Sequence, residues 1–441
     1  MESLPDAEPA SQRRFRLRTP RSIRPPRRGE WPKSLFTGGM LASFAERNYR
    51  LLWTGTVVTQ VGQWMQQVAI GWLVLELTDS ASFLGIVGFA RGVPMLILAL
   101  PAGVMADRFD RRKLLMAFQG GGAFVAVLLA ALVVFDWIQP WHVIVLSILG
   151  GAVMAFIAPT RQAMVPGVVP RDLMANAIAM NSAGQNATRI VGPSLAGVLI
   201  STVGTGICFV AQALGFVWAL VMSFQLRVPP VVQERARAGI RENITDGLSY
   251  IKDSSTLSGL MIMAAVPILL AQPYMQMLPV FARDVLDVGS SGLGLLMAAS
   301  GAGALAGALL YGAYGDKIRR QGMFQVATAA GFGIVLAAFA LSPWFPLSLV
   351  LVGLTGGISA IYMAANNTVI QMTVDDAYRG RVMSVYMMTW GMMPFGTLPM
   401  GILSDILGAP AAVAGQAILS TAVVLFAAYR LPRLRDLERP T

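Results

Sequence analysis

Residues 83–113 read Phe83-Leu-Gly-Ile-Val-Gly-Phe-Ala-Arg91-Gly-Val-Pro-Met-Leu-Ile-Leu-Ala-Leu-Pro-Ala-Gly103-Val-Met-Ala-Asp107-Arg108-Phe-Asp110-Arg111-Arg112-Lys113, a long apolar run closed by a knot of charge. A helix rises 1.5 Å per residue, so 83–105 is long enough to cross a hydrocarbon layer of roughly 30 Å. The arginines and lysine that follow would stop it at a membrane surface.

Reading outward, the same pattern of apolar block and polar break recurs along the chain. It predicts spans at 51–77, 83–105, 114–134, 141–162, 176–200 and 205–226, then at 257–282, 291–314, 323–342, 346–370, 382–404 and 409–429. The fifth and eleventh are interrupted by Asn, Gln, Gly and Pro. Composition agrees. Only 13% of the 441 residues are charged and 55% are hydrophobic, against about 25% charged in soluble domains. So few charges cannot coat a water-soluble core of this size, and lipid is the remaining solvent.

Charge is distributed on one side. Of 34 Lys and Arg, 31 fall in the N-terminal tail, in the connections after spans 2, 4, 6, 8 and 10, or in the C-terminal tail. The exceptions are Arg91, Arg189 and Arg283, whereas Glu76, Asp79, Asp136, Asp284, Asp287 and Asp405 lie at the opposite ends. By the positive-inside rule both termini are cytoplasmic and the number of spans is even, which fits twelve. The net charge of +11 therefore reflects topology and gives no reason to expect nucleic acid as a partner. Residues 1–45 are basic and Pro-rich without an apolar stretch; they read as a disordered cytoplasmic tail, able to rest on anionic headgroups or simply solvated. Cys208 and His142 are each single, which excludes an intrachain disulfide and a CxxC site.

The polar interval 228–255 separates a six-span half at 46–227 from another at 256–430, leaving 431–441 as a tail. The halves echo one another. Leu84-Gly85, Gly92, Gly103 and Asp107-Arg108 recur as Leu293-Gly294, Gly301, Gly312 and Asp316-Lys317 at an offset of 209; Gly192, Gly197 and Gly204 recur as Gly396, Gly401 and Gly408 at 204. Two registers of this kind point to duplication, an architecture common among secondary transporters.

The loop Gly103 to Lys113 resembles the loop signature of the major facilitator superfamily, with Asp110 where a glycine is usual. The shorter Gly312 to Arg320 is a weaker second copy. Arg189-Ile-Val-Gly192-Pro193-Ser-Leu-Ala196-Gly197 is similar to the Gly-Pro motif of exporters, with Ala196 replacing a glycine. With Pro159 to Ala163 and Arg379 to Met383, these segments resemble the branch containing the enterobactin exporter and macrolide efflux pumps. The resemblance covers about 46–430. It implies an all-α membrane fold of twelve transmembrane helices in two pseudo-symmetric six-helix halves, with spans 1, 4, 7 and 10 around a central cavity.

Candidate residues follow. Asp107, with Arg108, Arg111 and Arg112, can latch helix ends by accepting or donating charge-assisted hydrogen bonds; the resemblance implies a conformational latch, shared with Gly103, Gly312, Asp316 and Lys317. Topological anchoring is the plainer reading of the arginines. Gly192, Pro193 and Gly197 permit a hinge or close helix packing. Arg91 and Arg189 sit well inside spans, where a charge costs at least ~2.5–3.5 kcal/mol and normally faces a cavity or a partner. Gln60, Gln63, Trp64 and Gln67 share one face of span 1, and Gln272, Tyr274, Gln276, Tyr362, Asn366 and Asn367 offer polar groups on spans 7 and 10. These are candidate cavity residues or, equally, interhelical hydrogen-bonding groups. No metal or cofactor is expected.

The leading expectation is proton-coupled export of an amphipathic small molecule (a drug, siderophore or similar metabolite) by a monomer in the plasma membrane. No GxxxxGK[ST] motor motif occurs. Import by the same fold is the main rival; a membrane sensor and a membrane enzyme are others, the last having one His, one Cys and no HExxH or GxSxG to work with.

Overall fold

The computed structural model describes residues 39, 41–227, 240–435 and 437; of the tail expected at 1–45, residues 1–38 and 40 lie outside them, as do 228–239 of the linker expected at 228–255. The first half comprises α1 (Arg47–Thr78), α2 (Ala81–Arg108), α3 (Arg111–Val134), α4 (Pro140–Val168), α5 (Met174–Val203) and α6 (Gly206–Phe224). The linker contributes α7 (Ile240–Asp253). In the second half the seventh span is broken into α8 (Ser255–Leu270), α9 (Tyr274–Val280) and a π-helical turn at Phe281–Val285. Then come α10 (Gly289–Tyr314), α11 (Gln321–Ala340) and α12 (Phe345–Thr373), the eleventh span as α13 (Arg379–Thr389) and α14 (Met393–Leu407), and α15 (Ala409–Arg430). A short α16 (Pro432–Arg435) follows. No strand occurs among the described residues.

The twelve spans thus form as expected, most of them with ends longer than hydropathy alone suggested. Among the described residues nine helical segments are long and apolar enough to cross a membrane by length and composition. The other three are α1 and α5, which carry rows of amides, and the broken α13–α14. The chain is a multi-pass membrane protein.

Local chemistry fixes the ends. Asp110 caps α3 by accepting the N–H of Arg112 (2.9 Å) and of Lys113 (3.0 Å). His142 is spent on a helix start, its Nδ1 accepting the Gln139 N–H at 3.0 Å. Gly204 and Gly408, a repeat pair, end α5 and α14 at φ +101° and +85°, a region that strains other residues. Proline breaks the seventh span: α8 stops before Pro273, and Pro267 and Pro279 flank the break.

Apolar packing is uneven between the two ends of the bundle. Call them the acidic and the basic end, after the residues that cap them. Toward the acidic end one buried cluster draws on both halves, including Leu73, Leu84, Tyr274, Leu293 and Met400. Toward the basic end each half has its own cluster, Tyr49, Leu115 and Met164 in the first and Leu260, Tyr362 and Val424 in the second. The halves share a core at one end only.

Glycines make that shared core possible, and the duplication explains which ones. A Cβ built on Gly197 would lie 3.0 Å from the Cα of Gly294, and one on Gly85 would lie 3.2 Å from the Cα of Gly401. Gly85 and Gly294 are repeat partners, as are Gly197 and Gly401, so α5–α10 and α2–α14 are two copies of one backbone-to-backbone seam. Gly192 against Trp64, and its partner Gly396 against the Leu269 carbonyl, repeat a second contact inside each half.

Candidate functional site

Where α1 ends, Asp79 takes a left-handed conformation (φ +49°) and closes the helix with a hydrogen bond to the Leu75 carbonyl. From the π-helical turn of the second half, Arg283 reaches this corner. It donates to the Leu75 carbonyl at 2.9 Å, pairs with Asp79 across the halves, and is held by its neighbour Asp284 at 2.5 Å. Beside it, Asp405 on α14 covers the start of α2. Its carboxylate accepts the N–H of Ala81 (2.7 Å) and of Ser82 (2.9 Å) and the Ser80 hydroxyl (2.7 Å). A carboxylate at a helix N-terminus meets unsatisfied N–H groups and the positive end of the helix dipole. The acidic end is therefore closed by two inter-half polar clasps above the glycine seams.

No single motif announced this gate. In the sequence Arg283 stands out only as a cation at the acidic end, and Asp79, its ion-pair partner across the halves, is 204 residues away.

The seams run down past the middle, to Gly92 against Pro394, Leu96 against Gly391 and Gly301 against the Arg189 carbonyl. They stop before the residues expected to latch the basic end. A Cβ on Gly103 or Gly312 would meet nothing within 4 Å. The Asp107 side chain lies outside the described residues. Arg111 donates to the carbonyls of Ala106 (3.2 Å) and Ala163 (2.7 Å), and Arg112 to those of Ser223 (3.1 Å) and Phe224 (2.5 Å). These four bonds stay inside the first half, tying the start of α3 to α2 and α4 and covering the C-terminus of α6. Lys317 lies over the Tyr314 ring at 5.1 Å.

The cavity candidates sort into three groups. Arg189 lies over the Trp64 ring (5.6 Å to its centre), and its carbonyl lies against Gly301 of the second half. Tyr274 shares a 3.1 Å hydrogen bond with Ser300, and Gln272 accepts from Ser359 at 3.4 Å. Gln276 packs beside Gly88 of α2. These residues surround the break in the seventh span, where both halves meet; Gln60 and Gln67 are half-buried on α1 nearby. Tyr362 and Asn366, by contrast, are each 1% exposed. The Tyr362 hydroxyl donates to the Met263 carbonyl, so it braces α12 against α8 and does not face the interface. Asn367 is engaged with Gln371. The third group, Gln63 and Arg91, lines a separate pocket inside the first half.

The chain is similar to several known transporters. The Staphyloferrin A transporter of Staphylococcus aureus is 28% identical over 353 residues, covering 79% of this chain and 87% of its own. The multidrug efflux pump Tap of Mycobacterium tuberculosis is 29% identical over 413 residues, 88% and 94% of the two chains. Macrolide efflux protein A of Streptococcus pyogenes is 23% identical over 339 residues, 76% and 83%. Among solved structures, a bacterial homologue of the human lysosomal transporter Spinster, inward-facing and unoccupied, superposes with a TM-score of 0.71 at 14% identity, covering 88% of this chain and 98% of that one. A D-xylose–proton symporter gives 0.66 at 13% identity, with 87% and 98% covered. Residues 38–440 match the family described as transmembrane secretion effector, and the chain belongs to that family of major facilitator transporters.

Proposed function

We propose that this transporter exports an amphipathic small molecule from the cytoplasm by alternating access, and that the present conformation is the one that loads substrate. The observation that carries the reading is the unequal core: one apolar cluster joins the halves at the acidic end, while each half keeps its own at the basic end. By the positive-inside rule the basic end is cytoplasmic, so substrate enters from the cytoplasm between the halves and meets Arg189, Trp64 and Gln276. Release requires the clasps at Arg283 and Asp405 to part and the basic end to close. Asp107, Arg108, Asp316 and Lys317 are the residues proposed to hold that second state. Export over import is supported by the efflux and secretion roles named for the relatives.

Proton coupling is part of the proposal. The sequence places no carboxylate near the middle of the first spans, so the coupling acid would act at an end, with Glu76 and Asp107 as candidates. The deciding measurement uses inverted membrane vesicles, with substrates first identified by a growth-inhibition panel in a pump-deficient strain. Uptake into energised inverted vesicles that collapses on adding an uncoupler is expected. Accumulation in intact cells instead would reverse the direction, and uptake indifferent to the uncoupler would remove the proton.

A further inference from the structure

Arg91 belongs to a site distinct from the cavity between the halves. It lies ten residues into α2 from Ala81, roughly 15 Å below the acidic end at 1.5 Å per residue. There it lines a pocket enclosed by α1, α2, α3, α4 and α6, with Gln63, Gln66, Ser147, Met154 and Gln212 as its other polar or sulfur-bearing walls. The remaining walls are Gly, Ala, Val, Ile, Leu and Phe, and no carboxylate is among them. Among the described residues no hydrogen bond, ion pair or ring contact reaches the Arg91 guanidinium.

The pocket is also under-satisfied elsewhere. Ser147 is 5% exposed and its hydroxyl has no partner; Gln212 is 4% exposed, donates to Gln66 at 2.6 Å, and leaves its own carbonyl oxygen unpartnered. Gln63 has a thioether, Met154 Sδ, as its acceptor at 2.8 Å, a weak partner for an amide. Buried polar groups are normally paired, and a buried charge normally has a counter-charge. Here the half-buried Arg91 guanidinium and the buried Ser147 hydroxyl face one space with no carboxylate to receive them, beside the unpartnered carbonyl oxygen of Gln212.

The duplication isolates what is particular to this half. Gly151 packs on the Arg91 carbonyl as Gly356 packs on that of Ser300, so Ser300 stands where Arg91 does, and Val352 stands where Ser147 does. Ser300 is bonded to Tyr274 and Val352 is fully buried. The fold closes without a cation or a free hydroxyl at these positions.

Size limits the occupant. The cavity is about 30 Å³, against roughly 300–1,000 Å³ for pockets that enclose a drug-sized ligand. We propose that this pocket binds a small monovalent anion, either a halide or a carboxylate group. Two sources share that chemistry: a free ion held as a resident counter-charge, or a carboxylate arm of a larger substrate.

The test is anion binding by the purified protein in lipid nanodiscs, which has a readout whether or not export is correct. The thermal unfolding midpoint is titrated with sodium chloride, sodium bromide and sodium acetate against a constant-ionic-strength background of sodium HEPES, whose tetrahedral sulfonate is bulkier than a carboxylate. A saturable rise with halide and acetate is expected for a resident ion, and with acetate alone for a carboxylate arm; either supports the site. Arg91→Gln should weaken the response roughly 10- to 100-fold, as loss of charge-assisted hydrogen bonds does. If that variant does not fold, Ser147→Ala reads the same pocket with the charge retained and should weaken binding by a smaller factor. No saturable response in the wild type, or an unchanged one in the folded variants, overturns the proposal and assigns the space to water.

Discussion

The Asp405 carboxylate of the second half accepts the backbone N–H of Ala81, the first residue of α2 in the first half, at 2.7 Å. A helix start in one half is thus completed by a side chain from the other, and separating the halves exposes unsatisfied N–H groups. The Arg283–Asp79 pair does a related task less efficiently, since Asp79 is 85% exposed and ion pairs in water contribute only about 0–1 kcal/mol.

This ranking can be measured. Asp405→Ala, by analogy with loss of a helix cap, should cost about 1–2 kcal/mol of closure, shifting the closed-to-open ratio roughly 5- to 30-fold. Arg283→Gln should shift it less, by at most about fivefold. Spin-label distances between the acidic ends of α2 and α14, taken by double electron–electron resonance, report both; the reverse order would discount the cap.

The glycine seams make a sharper prediction. Gly197→Val places carbon against the Gly294 backbone, where overpacking costs about 1–3 kcal/mol, and should hold the acidic end open. Transport is expected to drop at least about tenfold at normal membrane abundance. Gly312→Ala meets nothing within 4 Å in this conformation and should leave the same spin-label distance unchanged. Closure unaffected by Gly197→Val would rule out backbone contact as its basis.

Substrate recognition is tested at Arg189 and Trp64. Removing the Arg189 cation should weaken apparent affinity roughly 10- to 100-fold, as loss of charge-assisted hydrogen bonds does, with Arg189→Lys retaining part of it; removing the Trp64 ring that the guanidinium packs on should weaken it less. The comparison is KM against maximal rate in vesicles; a fall in rate alone would place these residues in the conformational step instead.

Arg112 separates stability from gating. Its bonds to the Ser223 and Phe224 carbonyls cover the end of α6, so Arg112→Gln should lower folding stability by about 1–3 kcal/mol while transport per folded molecule stays constant. Thermal unfolding and transport on the same preparation decide it. A transport defect at unchanged stability would favour the latch role expected for this residue.

The fold was legible because its information is local and repeated: apolar blocks of membrane length, basic residues alternating from end to end, and an offset of 209 or 204 between halves. Even α1 and α5, too polar to stand out by hydropathy, are placed by the charge alternation around them. The gate was not legible. Arg283, Asp79 and Asp405 are single residues at helix ends, and only the folded halves bring them together. The amides of α1 looked alike in sequence; burial and neighbours divide them, sending Gln63 to an internal pocket with Arg91. Tyr362 reads as a cavity candidate because the resemblance puts span 10 beside the cavity, but its hydroxyl is satisfied by the Met263 carbonyl.

The paired seams at Gly85–Gly401 and Gly197–Gly294 carry a pharmacological consequence. An inhibitor wedged into either one would contact backbone, which mutation can alter only by adding a side chain. Any substitution bulky enough to expel such a compound would also keep the exporter from shutting, so escape by that route would forfeit the pump.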